Sequence, residues 1–91
     1  MTIHDYTLKK AKKLGVVVRP SSNPKKKIDV FRKDGTKIAS VGAAGYNDYP
    51  TYLLERGKVV ADERRRLYRL RHAKDLKVVG SPGWWANELL W

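Results

Sequence analysis

An arginine-rich stretch in the last third of the 91-residue sequence holds the side chains best suited to binding chemistry. If residues 58–73 form a helix, Arg64, Arg65 and Arg69 share an exposed face of it. Guanidinium groups bind phosphates and carboxylates through paired hydrogen bonds. The stretch therefore predicts an anion-binding face, and the plainer alternative is a surface that only keeps the protein soluble.

Two further clusters of cations lie in the first 27 residues. The predicted contacts with an anionic partner are therefore Lys9, Lys10, Lys12, Lys13, Arg19, Lys25, Lys26, Lys27, Arg64, Arg65 and Arg69. Lysine clusters of this kind bind phosphates without regard to sequence. They suit an acidic groove on a protein, or a nuclear import receptor, equally well.

Catalysis has little support in the sequence. His4 and His72 have no metal-ligand companion at helical or hairpin spacing, and Ser81 lies in GSPG rather than in a GxSxG nucleophile elbow. No triad, P-loop or dinucleotide fingerprint is present. We therefore expect a protein that is not an enzyme, with no catalytic residues, no bound metal, no cofactor and no small-molecule substrate.

A small metal-dependent nuclease is the third functional hypothesis. It depends on four carboxylates, which are Asp48, Glu55, Asp62 and Glu63. Carboxylate oxygens are the protein ligands that Mg²⁺ prefers. Acids beside arginines on a helix are more often ion-pair partners, which is the interpretation that we favour.

Glycines and aromatic residues give weaker signals. Gly42-Ala-Ala-Gly45 has the letters of a GxxG loop that clamps phosphates, but a turn with positive φ is the favoured interpretation. The aromatic side chains Tyr46, Tyr49, Tyr52, Tyr68, Trp84, Trp85 and Trp91 would stack on unpaired bases if they were exposed. A chain with one Phe and one Met needs these residues for its core instead.

Composition limits the partners and the compartment. The chain has 20 Lys and Arg against 9 Asp and Glu, a formal charge of +11, which favours nucleic acid, an anionic membrane surface or an acidic protein face as partner. Cysteine is absent, so no disulfide or thiolate zinc site supports the fold. No signal peptide or membrane span is expected, which places the protein in the cytosol, the nucleus or an assembly formed there.

The charge is unevenly distributed along the chain. Residues 1–27 hold eight Lys and Arg and one acid, residues 28–57 hold four of each, and residues 58–91 hold eight cations and four acids. This distribution predicts a basic N-terminal helix and extended arm over residues 1–27, and one interpretation is that the arm is disordered until it is bound. Residues 28–91 are predicted to form the compact domain.

The local patterns predict an α+β fold, a small single domain with a β-hairpin packed on two or three helices. The hairpin spans residues 28–41 around Asp34-Gly35, and helices span residues 58–73 and 82–90. A helix over residues 3–14 has Thr2 as N-cap and Gly15 as its stop, and a short one begins near Asp48 or Tyr49 and runs to Arg56. The predicted shared core contains Leu67, Leu70, Trp85 and Leu89.

Four segments resemble a family of short basic proteins from nucleocytoplasmic large DNA viruses of algae and amoebae. They are FRKDGTK, VGAAGYNDYPTY, RRRLYRLRH and GSPGWWANELLW, and they fall in the part of the chain that begins at Ile28. The resemblance implies a viral setting. It transfers no catalytic residue.

In a viral setting, two non-enzymatic roles compete. In the first, the protein is a minor capsid or internal virion protein, made in the host cytoplasm or nucleus, whose arm contacts capsid subunits with its lysines near acidic side chains. The alternative is a DNA-binding or genome-condensing protein that contacts phosphates. We expect the virion component.

Overall fold

The computed structural model describes residues 3–91, which form five helices and one three-stranded antiparallel sheet. The elements in chain order are α1 (Asp5–Leu14), β1 (Val16–Pro20), β2 (Lys26–Arg32), β3 (Lys37–Ala43), α2 (Tyr49–Arg56), α3 (Lys58–Arg71), α4 (Ala73–Leu76) and α5 (Pro82–Leu90). The sheet order is β1-β2-β3. The predicted α+β class is confirmed.

The predicted β-hairpin is confirmed as β2 and β3. Ile28 pairs with Val41 and Val30 with Ala39, so the alternating apolar residues of the two strands lie opposite one another. Gly35 has φ +92°, a conformation that the turn requires and that glycine adopts without steric cost. This hairpin forms the centre and one edge of the sheet.

At three helix ends the structure has the capping residue that the sequence predicts, whereas α1 begins at Asp5, two residues later than predicted. Gly15 ends α1 in the left-handed conformation. The Asp48 carboxylate accepts from the Thr51 N–H at the start of α2, and the Ser81 hydroxyl accepts from the Trp84 N–H at the start of α5. The α1 N-cap is His4, and the predicted cap Thr2 lies outside the described residues. Within residues 3–91, no helix has both the length and the apolar composition needed to cross a bilayer.

The predicted boundary between an arm and a domain at residue 27 has no counterpart in the structure. β1 pairs with β2 along its length, with Val18 opposite Val30, and Val18 is buried. The Tyr6 hydroxyl donates to the main-chain oxygen of Trp91 over 2.9 Å. The β-branched run at Val16–Val18 covers an edge of β2 that would otherwise leave its backbone groups unpaired. Residues 3–27 are therefore part of the domain.

The sheet packs against α1 and α5, and α3 packs mainly on α2. Trp85 and Leu89 are buried as predicted. The prediction was wrong for Leu67 and Leu70, which are 37% and 64% exposed.

The buried face of α3 is not the face that carries Leu67 and Leu70. Ala61 is fully buried and allows α2 to approach closely, and the Tyr68 ring stacks on Trp91 at 4.5 Å. Because α3 packs mainly on α2 and not on the sheet, its leucines are not buried against the strands. It packs through a small residue and an aromatic ring instead.

Candidate binding surfaces

The first candidate surface is on α1. Lys9, Lys12 and Lys13 are exposed on the side of the helix opposite the buried Thr7 and Ala11, and we call these three residues the α1 lysine face. Among residues 3–91, no acidic group lies within ion-pair distance of any of them. The face is therefore free to bind an external anion.

Aromatic contacts fix the orientation of this lysine face. The Tyr6 ring lies 5.2 Å from the Tyr49 ring on the inner side of α1, in addition to its hydrogen bond with Trp91. Lys10, the fourth predicted lysine of the cluster, is half-buried, with its ammonium group 4.8 Å from the centroid of the Tyr6 ring. The lysines thus project from a helix that is held to the domain at several points.

The second cluster of cations is divided by the strand geometry. Arg19, Lys25 and Lys26 are exposed, and the Arg19 guanidinium lies 5.7 Å from the Phe31 ring centroid. Lys27 is only 9% exposed, and its Nζ donates to Asp48 Oδ2 over 3.2 Å. Lys26 is exposed at the start of β2, whereas residues 27–30 of this central strand are all buried. Lys27 is a structural cation and is not available to an external anion.

Asp48 is the centre of a buried polar network. Besides the Lys27 ammonium, its carboxylate accepts from the Thr51 N–H over 3.1 Å and from the Thr51 hydroxyl over 2.7 Å. His4 Nε2 lies 3.1 Å from the same hydroxyl. The network joins the starts of α1 and α2 to β2. It therefore holds α1, and with it the lysine face, against the domain.

Asp29 holds the connection between β1 and β2. Its buried carboxylate accepts from the hydroxyls of Ser21 and Ser40, each over 2.6 Å, and from the Ser22 N–H. These hydrogen bonds, Ser21 first, hold the pKa of Asp29 far below its usual range, and nearby Lys37 lowers it further. The charged carboxylate orders the segment that carries Lys25 and Lys26.

The three predicted arginines of α3 all have partners within the domain. Arg65 is half-buried, 3.3 Å from Asp62, with its guanidinium 4.1 Å from the centroid of the Tyr49 ring. Arg69 Nε donates to Asn87 Oδ1 over 3.1 Å. The Arg64 guanidinium lies 5.5 Å from the centroid of the Tyr52 ring. These contacts connect α3 to α2 and α5, and Arg64 and Arg69 remain exposed.

Three of the four carboxylates considered for a nuclease, Asp48, Asp62 and Glu63, are engaged by neighbouring residues, and Glu55 is exposed with no ion-pair partner among residues 3–91. Asp62 binds Lys58 and Arg65 and accepts from the Tyr49 hydroxyl over 2.7 Å, which raises the pKa of Tyr49. Hydrogen bonding from Lys58 lowers the pKa of Asp62. Glu63 pairs with Arg66. Within the described part of the chain, no three His, Cys, Asp or Glu residues are grouped as a metal ion requires.

Gly42 and Gly45 have the positive φ values that the turn interpretation predicts, +81° and +86°. Gly42 also lies close to its neighbours, because a Cβ at this position would be 2.7 Å from Leu90 Cδ1. Gly42 thus lets β3 approach Leu90 of α5 closely, and Gly45 lies in the turn that follows β3.

A cleft of about 870 Å³ is the feature that the sequence analysis missed. Its walls are the segment from Gly42 to Asn47 and the second half of α3, and the buried Leu90 and Trp91 form its base. The apolar side chains Leu67, Leu70 and Tyr46 are exposed at its opening. The cleft depends on the position of the β3–α2 connection relative to α3, and local sequence patterns do not predict that position.

Searches against family models, curated proteins and solved structures each found no match to this chain. Function is therefore inferred from the charges, contacts and cleft described above.

Proposed function

We propose that the protein is a non-enzymatic structural component of a virion, as a minor capsid or internal protein, which attaches to acidic surfaces of neighbouring protein subunits. The distribution of ion pairs is the observation that supports attachment to an acidic surface, and the virion setting is what the resemblance to the large DNA virus proteins implies. Asp29, Asp48, Asp62 and Glu63 already pair with Lys or Arg of the same domain, whereas the α1 lysine face has no acidic partner in residues 3–91. The excess positive charge is therefore left for an external partner.

The fixed position of the lysine face favours a folded partner. Lys9, Lys12 and Lys13 lie within one face of a helix whose inner side is held by Tyr6 and by the Asp48 network. Because the helix is held in place, its backbone loses little further conformational freedom when the lysines bind a shaped acidic surface. The attachment is thus by a surface of the domain, in place of the threaded arm that the sequence suggested.

Genome binding is the second candidate. The exposed Lys25 and Lys26 and the α1 lysines would neutralise phosphates in any orientation. DNA binding of this kind weakens steeply with salt, with a slope that grows with each phosphate contact.

Charge reversal tests the site and separates the two candidates. We expect Lys9→Glu/Lys12→Glu/Lys13→Glu to weaken binding to poly-L-glutamate at least about tenfold, since exposed charge pairs contribute up to about 1 kcal/mol each. The control Lys33→Glu/Lys74→Glu/Lys77→Glu changes three exposed lysines that have no ion-pair partner within residues 3–91, and it has the same formal charge. Fluorescence anisotropy over a range of NaCl concentrations, with circular dichroism to check the fold, measures the effect.

The same assay with duplex DNA distinguishes the proposed function from genome binding. A structural protein is expected to bind a 20-bp duplex with a Kd of about 1 μM or weaker at physiological salt, as non-specific binders do. Much tighter DNA binding at that salt, lost in the α1 variant and retained in the control, would contradict the proposal and support genome binding. Equal polyglutamate binding by the two variants would remove α1 as the site.

A further inference from the structure

Several exposed apolar side chains line the cleft, which is unusual for a surface that binds no partner. Leu70 is 64% and Tyr46 is 74% exposed, and both line the cleft together with the buried Leu90. Leu67 adds further apolar surface beside Leu70. Contiguous apolar surface rimmed by polar groups is typical of a site that binds a partner.

The charge around the cleft specifies an anionic partner. Lys26, Arg64 and Arg71 line it and have no acidic group within ion-pair distance among residues 3–91. Of the two acids in the lining, Asp48 is paired with the buried Lys27, and Asp75 lies 3.3 Å from His72. Free cations beside an apolar surface are complementary to carboxylates on an apolar segment.

The aromatic rings of the cleft are poorly placed to stack on nucleic acid bases. The Tyr68 ring is stacked on one side by Trp91 at 4.5 Å and on the other by His72 at 4.3 Å. Arg64 lies over the Tyr52 ring. Tyr46 alone would be left as a platform, and the other exposed apolar groups are leucines. Single-strand binding sites use successive free aromatic faces instead.

A second copy of the chain is also a poor occupant. Each copy has a formal charge of +11, and association would bring two such cations together. The repulsion favours a partner of opposite charge.

We propose that the cleft binds an acidic segment of a partner protein that carries aliphatic or aromatic side chains between its carboxylates. Its apolar side chains lie between Tyr46 and Leu70, and its carboxylates bind Arg64, Arg71 and Lys26. This deepens the proposed function and relies on it for the class of partner. The cleft is a second contact, separate from the α1 lysine face.

Peptide titration tests the proposal. The probe is a capped 12-residue peptide in which Asp alternates with Leu and Phe, and the control peptide has the same Asp residues with Ser at the apolar positions. We expect the apolar probe to bind at least about tenfold more tightly, because buried apolar anchors dominate such contacts. Amide shifts in ¹H–¹⁵N spectra are expected at residues 42–47 and 67–71.

Two variants of exposed residues on α3 provide the matched comparison. Leu70→Asp places a like charge in the cleft and is expected to lose most of the binding. Val59→Asp changes another exposed apolar residue, 85% accessible and outside the cleft lining, and is expected to bind the probe as the parent does. Circular dichroism of both variants is expected to match that of the parent.

Three results would overturn the cleft proposal. The first is equal binding of the two peptides to the parent protein. The second is equal binding of the apolar probe by Leu70→Asp and Val59→Asp. The third is a single-stranded oligonucleotide that binds more tightly than the apolar probe and shifts the same amides. The Lys9→Glu/Lys12→Glu/Lys13→Glu variant distinguishes failure of the cleft proposal from failure of the proposed function. If that variant loses polyglutamate binding while Leu70→Asp keeps the peptide, the proposed function stands and the cleft proposal falls.

Discussion

Replacing Leu89 by alanine is expected to lower the free energy of unfolding by about 2–5 kcal/mol, the usual cost of truncating a buried leucine. Leu89 has 0% exposure and lies on α5, which packs against both β3 and α1. The substitution leaves a cavity where the sheet and the helices meet. Domains of this size are stable by about 5–15 kcal/mol, so the loss is a large share of the total.

Leu70→Ala is the matched control for this measurement. Leu70 is 64% exposed, so its truncation is expected to change the free energy of unfolding by no more than about 0.5 kcal/mol. Urea denaturation followed by circular dichroism gives both values. Equal destabilisation by Leu70→Ala and Leu89→Ala would contradict the orientation of α3 and return Leu70 to the core.

Replacing Lys27 by methionine is expected to cost about 3–5 kcal/mol, the usual effect of removing one partner of a buried ion pair. Methionine retains most of the apolar stem but leaves the Asp48 carboxylate buried without its cation, since Lys27 and Asp48 are 9% and 3% exposed. The hydrogen bonds from Thr51 remain and place the expected value at the lower end of this range.

Two further variants identify the cause of this effect. Lys58→Met removes the exposed partner of Asp62 and is expected to cost less than about 1 kcal/mol. Lys27→Met/Asp48→Asn removes both buried charges while asparagine still caps α2, so it is expected to recover part of the lost stability. If Lys27→Met and Lys58→Met were equally mild, Lys27 would not be a structural residue.

The elements that local signals specify were predictable from the sequence. Asp34-Gly35 between two alternating strands fixed the hairpin, and Gly15, Asp48 and Ser81 fixed helix ends. Each of these signals acts through the backbone conformation or hydrogen bonding of residues within one turn. Their effect does not depend on the rest of the fold.

The features that the sequence did not predict depend on contacts between distant elements. The leucines of α3 suggested its buried face, but the structure buries Ala61 and stacks Tyr68 on Trp91. The count of charges placed residues 1–27 outside the domain. A count of charges cannot show that the Val16–Val18 run pairs with β2, and this pairing makes the segment part of the sheet.

The candidate site was predictable to a similar extent. The excess of cations and the α1 lysines followed from the sequence, and the structure leaves Lys9, Lys12 and Lys13 exposed. The burial of Lys27 and the cleft did not follow from it, because both require the position of the β3–α2 connection relative to α3 and α5.

A density map of the virion to which we assign this protein tests the central claim most directly. The account predicts that acidic side chains of another protein chain lie against Lys9, Lys12 and Lys13. A map in which the α1 lysine face contacts only nucleic acid phosphates, or faces solvent throughout the particle, would contradict it.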